Sequence, residues 1–182
     1  MLRHLLSIAA VIGALLTTSL RAQAVDVPVQ PNVVSINPFV FLFSWYNAEY
    51  EHAFNATTSW AVSAGYISIG DDDDESDYTS AELKFRYYPS AEAPSRFSVG
   101  IATGYSHVTD EDTPGGGPVV EKKYDALSVG FELGYSWLMG RTRQFYIGTS
   151  LGAKRLFLLG EEDEDDETFG YPTVRLGIGY AF

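Results

Sequence analysis

The sequence predicts an all-β protein, an eight-stranded antiparallel up-and-down transmembrane β-barrel. Three observations predict it. Segments of about ten residues alternate between bulky apolar side chains and small or charged ones, the pattern of a strand with one face to lipid and the other to a lumen. Glycine, tyrosine and phenylalanine number 17, 12 and 11, which favours turns and sheet over helix. Past the N-terminal segment, no stretch approaches the roughly 18–20 apolar residues of a membrane helix. A bilayer span in this chain has to be made of strands.

The last strand shows the pattern most clearly. Val174, Leu176, Ile178, Tyr180 and Phe182 share one face, and Thr173, Arg175, Gly177 and Gly179 the other. Five upstream segments repeat the division. Over Ser59–Ile69, Trp60, Val62, Ala64 and Tyr66 oppose Ser59, Ala61, Ser63 and Gly65. Over Asp77–Tyr88, Ala81, Leu83, Phe85 and Tyr87 oppose Ser80, Glu82, Lys84 and Arg86. Arg96–Thr109 sets Phe97, Val99, Ile101 and Tyr105 against Ser98, Gly100, Ala102, Gly104 and Ser106. Tyr124–Leu138 sets Leu127, Val129, Phe131, Leu133, Tyr135 and Trp137 against Ser128, Gly130, Glu132, Gly134 and Ser136. Arg143–Leu156 sets Phe145, Ile147, Leu151 and Ala153 against Tyr146, Gly148, Ser150, Gly152 and Lys154. A soluble barrel of the lipocalin type also alternates. Its water-facing strands favour threonine, lysine and glutamate, whereas here the second face is rich in glycine, which relieves crowding inside a narrow barrel.

Six strands are explicit, and single-chain bacterial barrels keep both termini periplasmic with an even strand number. A hairpin of Val33–Phe43 and Tyr46–Phe54, turning near Ser44 and Trp45, completes eight. Asn37-Pro38 interrupts its first strand, and its second sets Tyr46, Ala48, Tyr50 and Phe54 against Asn47, Glu49 and Glu51. Upstream, a basic start, an apolar run and Ala22-Gln23-Ala24 read as a signal peptide over 1–24. Residues 25–32, with two prolines, form a periplasmic lead-in, and 33–182 the barrel.

The formal charge is −12, and removing Arg3 and Arg21 with the signal takes it to −14. That balance argues against nucleic acid as a partner. The absence of cysteine excludes disulfides and thiol chemistry. The acidic excess concentrates in Asp71–Asp77, Asp110–Asp112 and Glu161–Glu167, read as extracellular loops. They offer oxygen ligands for weak binding of divalent cations, but lack the spaced pattern of an EF-hand, so solvated loops are the simpler reading. Short links at Pro89–Ser95 and Gly140–Thr142 fall at the periplasmic end.

The lumen face carries Glu49, Glu51, Glu82 and Glu132 together with Lys84, Arg86, Lys154 and Arg175. An eight-stranded barrel has an interior only wide enough for side chains. Charges there must pair or cost several kcal/mol each, so a salt-bridged lumen without an open pore is expected. Aromatic girdles are expected from Trp60, Tyr87, Phe97, Trp137, Phe145, Tyr180 and Phe182 at one end, and from Tyr66, Tyr78 and Tyr105 at the other. Catalytic, cofactor and metal residues are expected to be absent. The one serine–histidine–acid combination, Ser106, His107 and an acid of Asp110–Asp112, places neighbouring strand residues on opposite faces.

Ile36-Asn37-Pro38-Phe39, Tyr46-Asn47-Ala48-Glu49-Tyr50-Glu51, Arg86-Tyr87-Tyr88-Pro89 and the closing Gly177-Ile178-Gly179-Tyr180-Ala181-Phe182 resemble an uncharacterised family of small bacterial outer-membrane barrels. The family is similar in architecture to the OmpA transmembrane domain and OmpX. The resemblance covers residues 33–182. It implies a monomer in the outer membrane of a Gram-negative cell, among its lipids and lipopolysaccharide. It also implies that Tyr180 and Phe182 form the signal read by the barrel assembly machinery. No activity or catalytic residue comes with it. The expected role is therefore structural or surface-interacting, with a lipid-modifying enzyme or a small-solute channel as the alternatives.

Overall fold

A computed structural model describes residues 30–38, 45–71, 74–112, 120–159 and 170–182, without side chains at 71, 74, 75, 110–112 and 120–122. The segment 1–24 read as a signal peptide, most of the segment 25–32 read as a lead-in, and the run Glu161–Glu167 lie outside them. Eight strands run in chain order: β1 Asn32–Ile36, β2 Trp45–Ala53, β3 Thr58–Asp71, β4 Asp74–Tyr87, β5 Arg96–Asp112, β6 Val120–Met139, β7 Phe145–Leu159 and β8 Gly170–Ala181. Each pairs antiparallel with the next, and β8 returns to β1, so the sheet closes into a barrel. Closure removes the unpaired edges that an open sheet would expose.

The two ends of the barrel differ. At one end lie both termini of the barrel and the links 54–57, 88–95 and 140–144. At the 54–57 link, the Asn55 side-chain oxygen accepts from the Thr57 and Thr58 amides at 2.8 and 3.0 Å, an Asx-type turn. Gly140 opens the 140–144 link with φ of 86°, a conformation that suits glycine. We call this the short-turn end, and the other the acidic end.

Alternation sorts the side chains as the period of two requires. The outer face is apolar and open: Ile101, Leu151 and Val174 are 64, 61 and 75% exposed, while inward Glu49 and Glu51 are 4 and 1% exposed. The usual order of a water-soluble fold is inverted. Among the described residues, two apolar clusters pack inside at the short-turn end, one of Val33, Tyr146 and Ala181 and another of Ala53, Tyr88 and Ala93.

Three sequence expectations are corrected. First, β1 is described only to Ile36. Beyond it the Asn37 amide bonds the Asn47 side chain at 2.9 Å and Pro38 has no N–H to give; residues 39–43 lie outside the described part. Second, Asp71 and Asp74–Asp77 belong to β3 and β4, and Asp110–Asp112 to β5, rather than to loops. The ladder continues through Ser76↔Asp110 and Asp77↔Thr109, because backbone pairing needs no apolar face. Third, Tyr78 shares the phase of Ser80 and Glu82, and its hydroxyl meets Ser106 at 3.0 Å inside the barrel. It leaves the girdle to Tyr66 and Tyr105, which face out.

The seam between β1 and β8 is the shortest ladder, Val33–Ile36 against Ile178–Ala181. A Cβ on Gly179 would strike the Val34 carbonyl oxygen and come within 2.8 Å of the Ser35 Cα. Gly179→Ala is therefore expected to cost about 1–3 kcal/mol by overpacking. Gly65→Ala, whose nearest obstacle is a rotatable Ser80 hydroxyl at 3.1 Å, is expected to cost less. Equal unfolding transitions for the two variants in detergent would contradict this.

Candidate functional site

The inward residues of β2, β4, β6, β7 and β8 bring ionised groups together across the lumen. Arg86 is their hub. Its guanidinium donates to Glu49 at 2.9 Å, to Glu51 at 2.5 Å and to Glu132 at 2.5 Å. Glu49 also accepts from Lys84 at 2.7 Å and from Arg175 at 2.9 Å. Lys84 approaches Glu82 at 3.5 Å, and Lys154 donates to Glu82 from the opposite wall. All eight charged residues named from the sequence thus stand in one connected set, with as many acids as bases.

Neutral groups complete it. Glu51 accepts from the Ser59 hydroxyl at 2.6 Å, and from the Tyr88 hydroxyl. Arg175 donates to the Ser35 hydroxyl at 2.7 Å, tying β8 to β1. Among the described residues, no buried side-chain nitrogen or oxygen lacks a hydrogen-bond partner. That completeness matters, because a half-satisfied buried polar network is worse than an apolar core.

Glycine makes room for the set. A Cβ on Gly100 would stand 3.0 Å from the Glu132 Cγ and 3.2 Å from the Arg86 Cγ. The small-residue face is thus the space into which long charged side chains fold. Tyr88 and Ser59 escaped the sequence reading as members of the set. Tyr88 lies two residues past Arg86, in phase with it, and that phase was the available signal.

On the acidic side of the network lies a cavity of about 550 Å³. Glu49, Lys84, Glu132 and Arg175 line its floor, and Trp45, Tyr78 and Tyr171 are among its higher residues. On the short-turn side, Tyr88 and Tyr146 are buried beneath the network. Among the described residues, the lumen therefore has a packed half and a hollow half.

The remaining candidates are dispersed. Ser106 bonds Tyr78 inside, while His107 bonds Asp125 at 2.7 Å on the outer face, so the simplest nucleophilic triad is not assembled. His52 sits at the short-turn end, 2.8 Å from the Asn32 side chain. Among the described residues, no three His, Cys, Asp or Glu side chains group as a metal site. The Phe182 backbone exchanges two hydrogen bonds with Asn32, at 2.9 and 3.0 Å, and its ring stacks on Tyr180 at 6.2 Å between centroids.

The hub arrangement ranks the substitutions. Arg86→Met leaves Glu51 and Glu132 buried without their cation, while Glu49 keeps Lys84 and Arg175, and is expected to cost about 3–5 kcal/mol, less where water enters. Glu132→Gln leaves Arg86 with Glu49 and Glu51, so its cost is expected to be smaller. Glu92→Gln, at an exposed pair with Arg96, is expected to change little. Thermal melts showing Arg86→Met no worse than Glu92→Gln would refute the ranking.

No protein-family model matches the chain, and no curated protein matches its sequence. The structure is similar to the crystal structure of the N-terminal β-barrel domain of Pseudomonas aeruginosa OprF, at 16% sequence identity and a TM-score of 0.48. The match covers 84% of this chain and 98% of that one.

Proposed function

We propose that the chain is an integral barrel of the bacterial outer membrane with a structural or surface-interaction role, whose salt-bridged lumen does not conduct. The observation that carries this reading is the inversion of polarity. Leu83, Phe85, Val99, Ile101, Val129, Phe131 and Leu151 are exposed around the barrel, while the lumen holds the charges. In water, so large a continuous apolar surface would drive aggregation. In a bilayer it is the surface that lipid requires, and the closed ladder satisfies the backbone inside hydrocarbon.

Aromatic placement supports the same reading. Tyr87, Phe97, Trp137, Phe145, Tyr180 and Phe182 are exposed toward the short-turn end, with Tyr66 and Tyr105 exposed toward the other. Their rings suit the two interfaces of a membrane. The hydroxyls of Tyr66 and Tyr105 donate to Asp77 at 3.0 Å and Asp125 at 2.5 Å, consistent with headgroup-level positions. In this reading the short-turn end is periplasmic, and the acidic end faces outward among lipopolysaccharide.

The lumen argues against a pore. Arg86, Glu51, Tyr88 and Tyr146 occupy the bore where a solute would leave, and eight strands leave little width beyond side chains. Planar-bilayer recording of the purified protein is expected to show no steady current. Sustained pore-like conductance from the monomer would remove the closed-lumen part of the proposal.

Two sets of variants test the remainder. Leu83→Arg and Val129→Arg are each expected to destabilise the bilayer-inserted barrel by about 2–4 kcal/mol, the cost of a lipid-facing charge near mid-membrane. Wild-type stability for both would mean that this face does not meet lipid. Phe182→Ala keeps the backbone bonds to Asn32 and removes the ring. It is expected to lower outer-membrane insertion while leaving secretion unchanged, and normal insertion would exclude Phe182 as an assembly signal.

A further inference from the structure

The hollow half of the lumen is unusual for so narrow a barrel. Protein interiors pack to crystal-like density, and an eight-stranded interior either fills with side chains or holds one small ligand. At about 550 Å³, the cavity falls in the ~300–1,000 Å³ range of small-molecule sites. Small residues, Ser63, Gly65, Ser80 and Ser150, line it where larger ones would have filled it.

Three aromatic side chains, those of Trp45, Tyr78 and Tyr171, stand in its lining. A Cβ on Gly65 would stand 3.4 Å from the Trp45 indole nitrogen and 3.1 Å from the Ser80 hydroxyl, so glycine lets the indole lie close to the wall. Tyr78 is tethered by its hydroxyl to Ser106 at 3.0 Å. Tyr171 lines the same cavity as Tyr78 and Glu82. Aromatic rings offer a ligand a large, rigid apolar face and, in tryptophan and tyrosine, a polar handle.

The polar lining narrows the ligand. The charged floor is internally matched, since Glu49, Glu82 and Glu132 each already pair with a cation. A ligand with net charge would have to break one of these buried pairs, which is costly. A purely apolar ligand would cover Asn47, Lys154 and Glu82 without meeting their hydrogen-bonding capacity. Hydroxyl groups both donate and accept, and so fit a mixed lining of amide, carboxylate, ammonium and serine.

We propose that this cavity binds a small uncharged polyhydroxylated molecule, of the size and chemistry of a mono- or disaccharide, against Trp45 and Tyr171. The inference needs the hollow half of the barrel and not its membrane location, so it stands or falls in detergent micelles independently of the proposed function.

The chain has three tryptophans, and Trp60 and Trp137 lie on outward-facing strand positions. In Trp60→Phe/Trp137→Phe protein, Trp45 becomes the sole reporter. Its quenching by acrylamide is followed while glucose, galactose, mannose, maltose and lactose are titrated in turn. Calorimetric titration of the wild-type protein with the same sugars gives a readout that does not depend on the double substitution. The expected result is saturable protection by at least one sugar, with matching calorimetric binding. Tyr171→Ala is expected to weaken it about tenfold, roughly the 1.4 kcal/mol of one lost contact, while outer-face Ile101→Val leaves it unchanged. No saturable response to any of the five sugars would overturn the proposal. So would equal binding by Tyr171→Ala, or binding of glycine or inorganic phosphate in place of sugar.

Discussion

Everything inside this barrel is arranged around one guanidinium. Arg86 faces three carboxylates, on β2 and β6, within 2.9 Å. An ion buried in a low-dielectric interior costs several kcal/mol unless its partners are close and complete. The geometry answers that constraint by connecting the charges rather than isolating them in pairs. Glu49 alone serves Lys84, Arg86 and Arg175. A single arginine therefore ties the β2 wall to the β6 wall, and Glu49 carries the connection on to β8. Backbone ladders join each strand only to its neighbours, so this set is the main link across the bore.

The same constraint explains the glycines and the apolar exterior. Long side chains can fold across a narrow lumen only where the facing wall has no Cβ, as at Gly100 beside Arg86 and Glu132. With charge and small residues turned inward, most of the large apolar residues are turned out by the period of two. One choice of phase thus sets both the polar network and the surface that the proposed membrane location would use. A shift of a single residue in any strand would reverse both.

Phase was the part of this structure that the sequence made legible. Alternation places Glu82, Lys84 and Arg86 on one face and Leu83 and Phe85 on the other, and the structure has them so. Where residues meet across the lumen was not legible. That Arg86 reaches Glu51 and Glu132, and Lys154 reaches Glu82, depends on the stagger of closure, which no local pattern encodes. Tyr78 has the aromatic character of a girdle residue but the phase of Ser80, and phase decides which way it points. The acidic segments of β3, β4 and β5 look like loops in sequence because strand pairing continues beyond the apolar alternation that announces it. The cavity was hidden for a similar reason. Trp45 was assigned to a turn, and the small residues around it are visible only as gaps between distant strands.

The central claim is that Arg86 is sequestered in a complete ion network. Solution NMR of the protein in micelles addresses it most directly, through the rate at which the Arg86 Nε–H exchanges with water. Its bond to Glu132 at 2.5 Å and its burial predict a resolved resonance that persists long after transfer to deuterium oxide, whereas exposed Arg143 exchanges at once. Immediate exchange at Arg86, matching Arg143, would show a lumen open to bulk water and contradict the account.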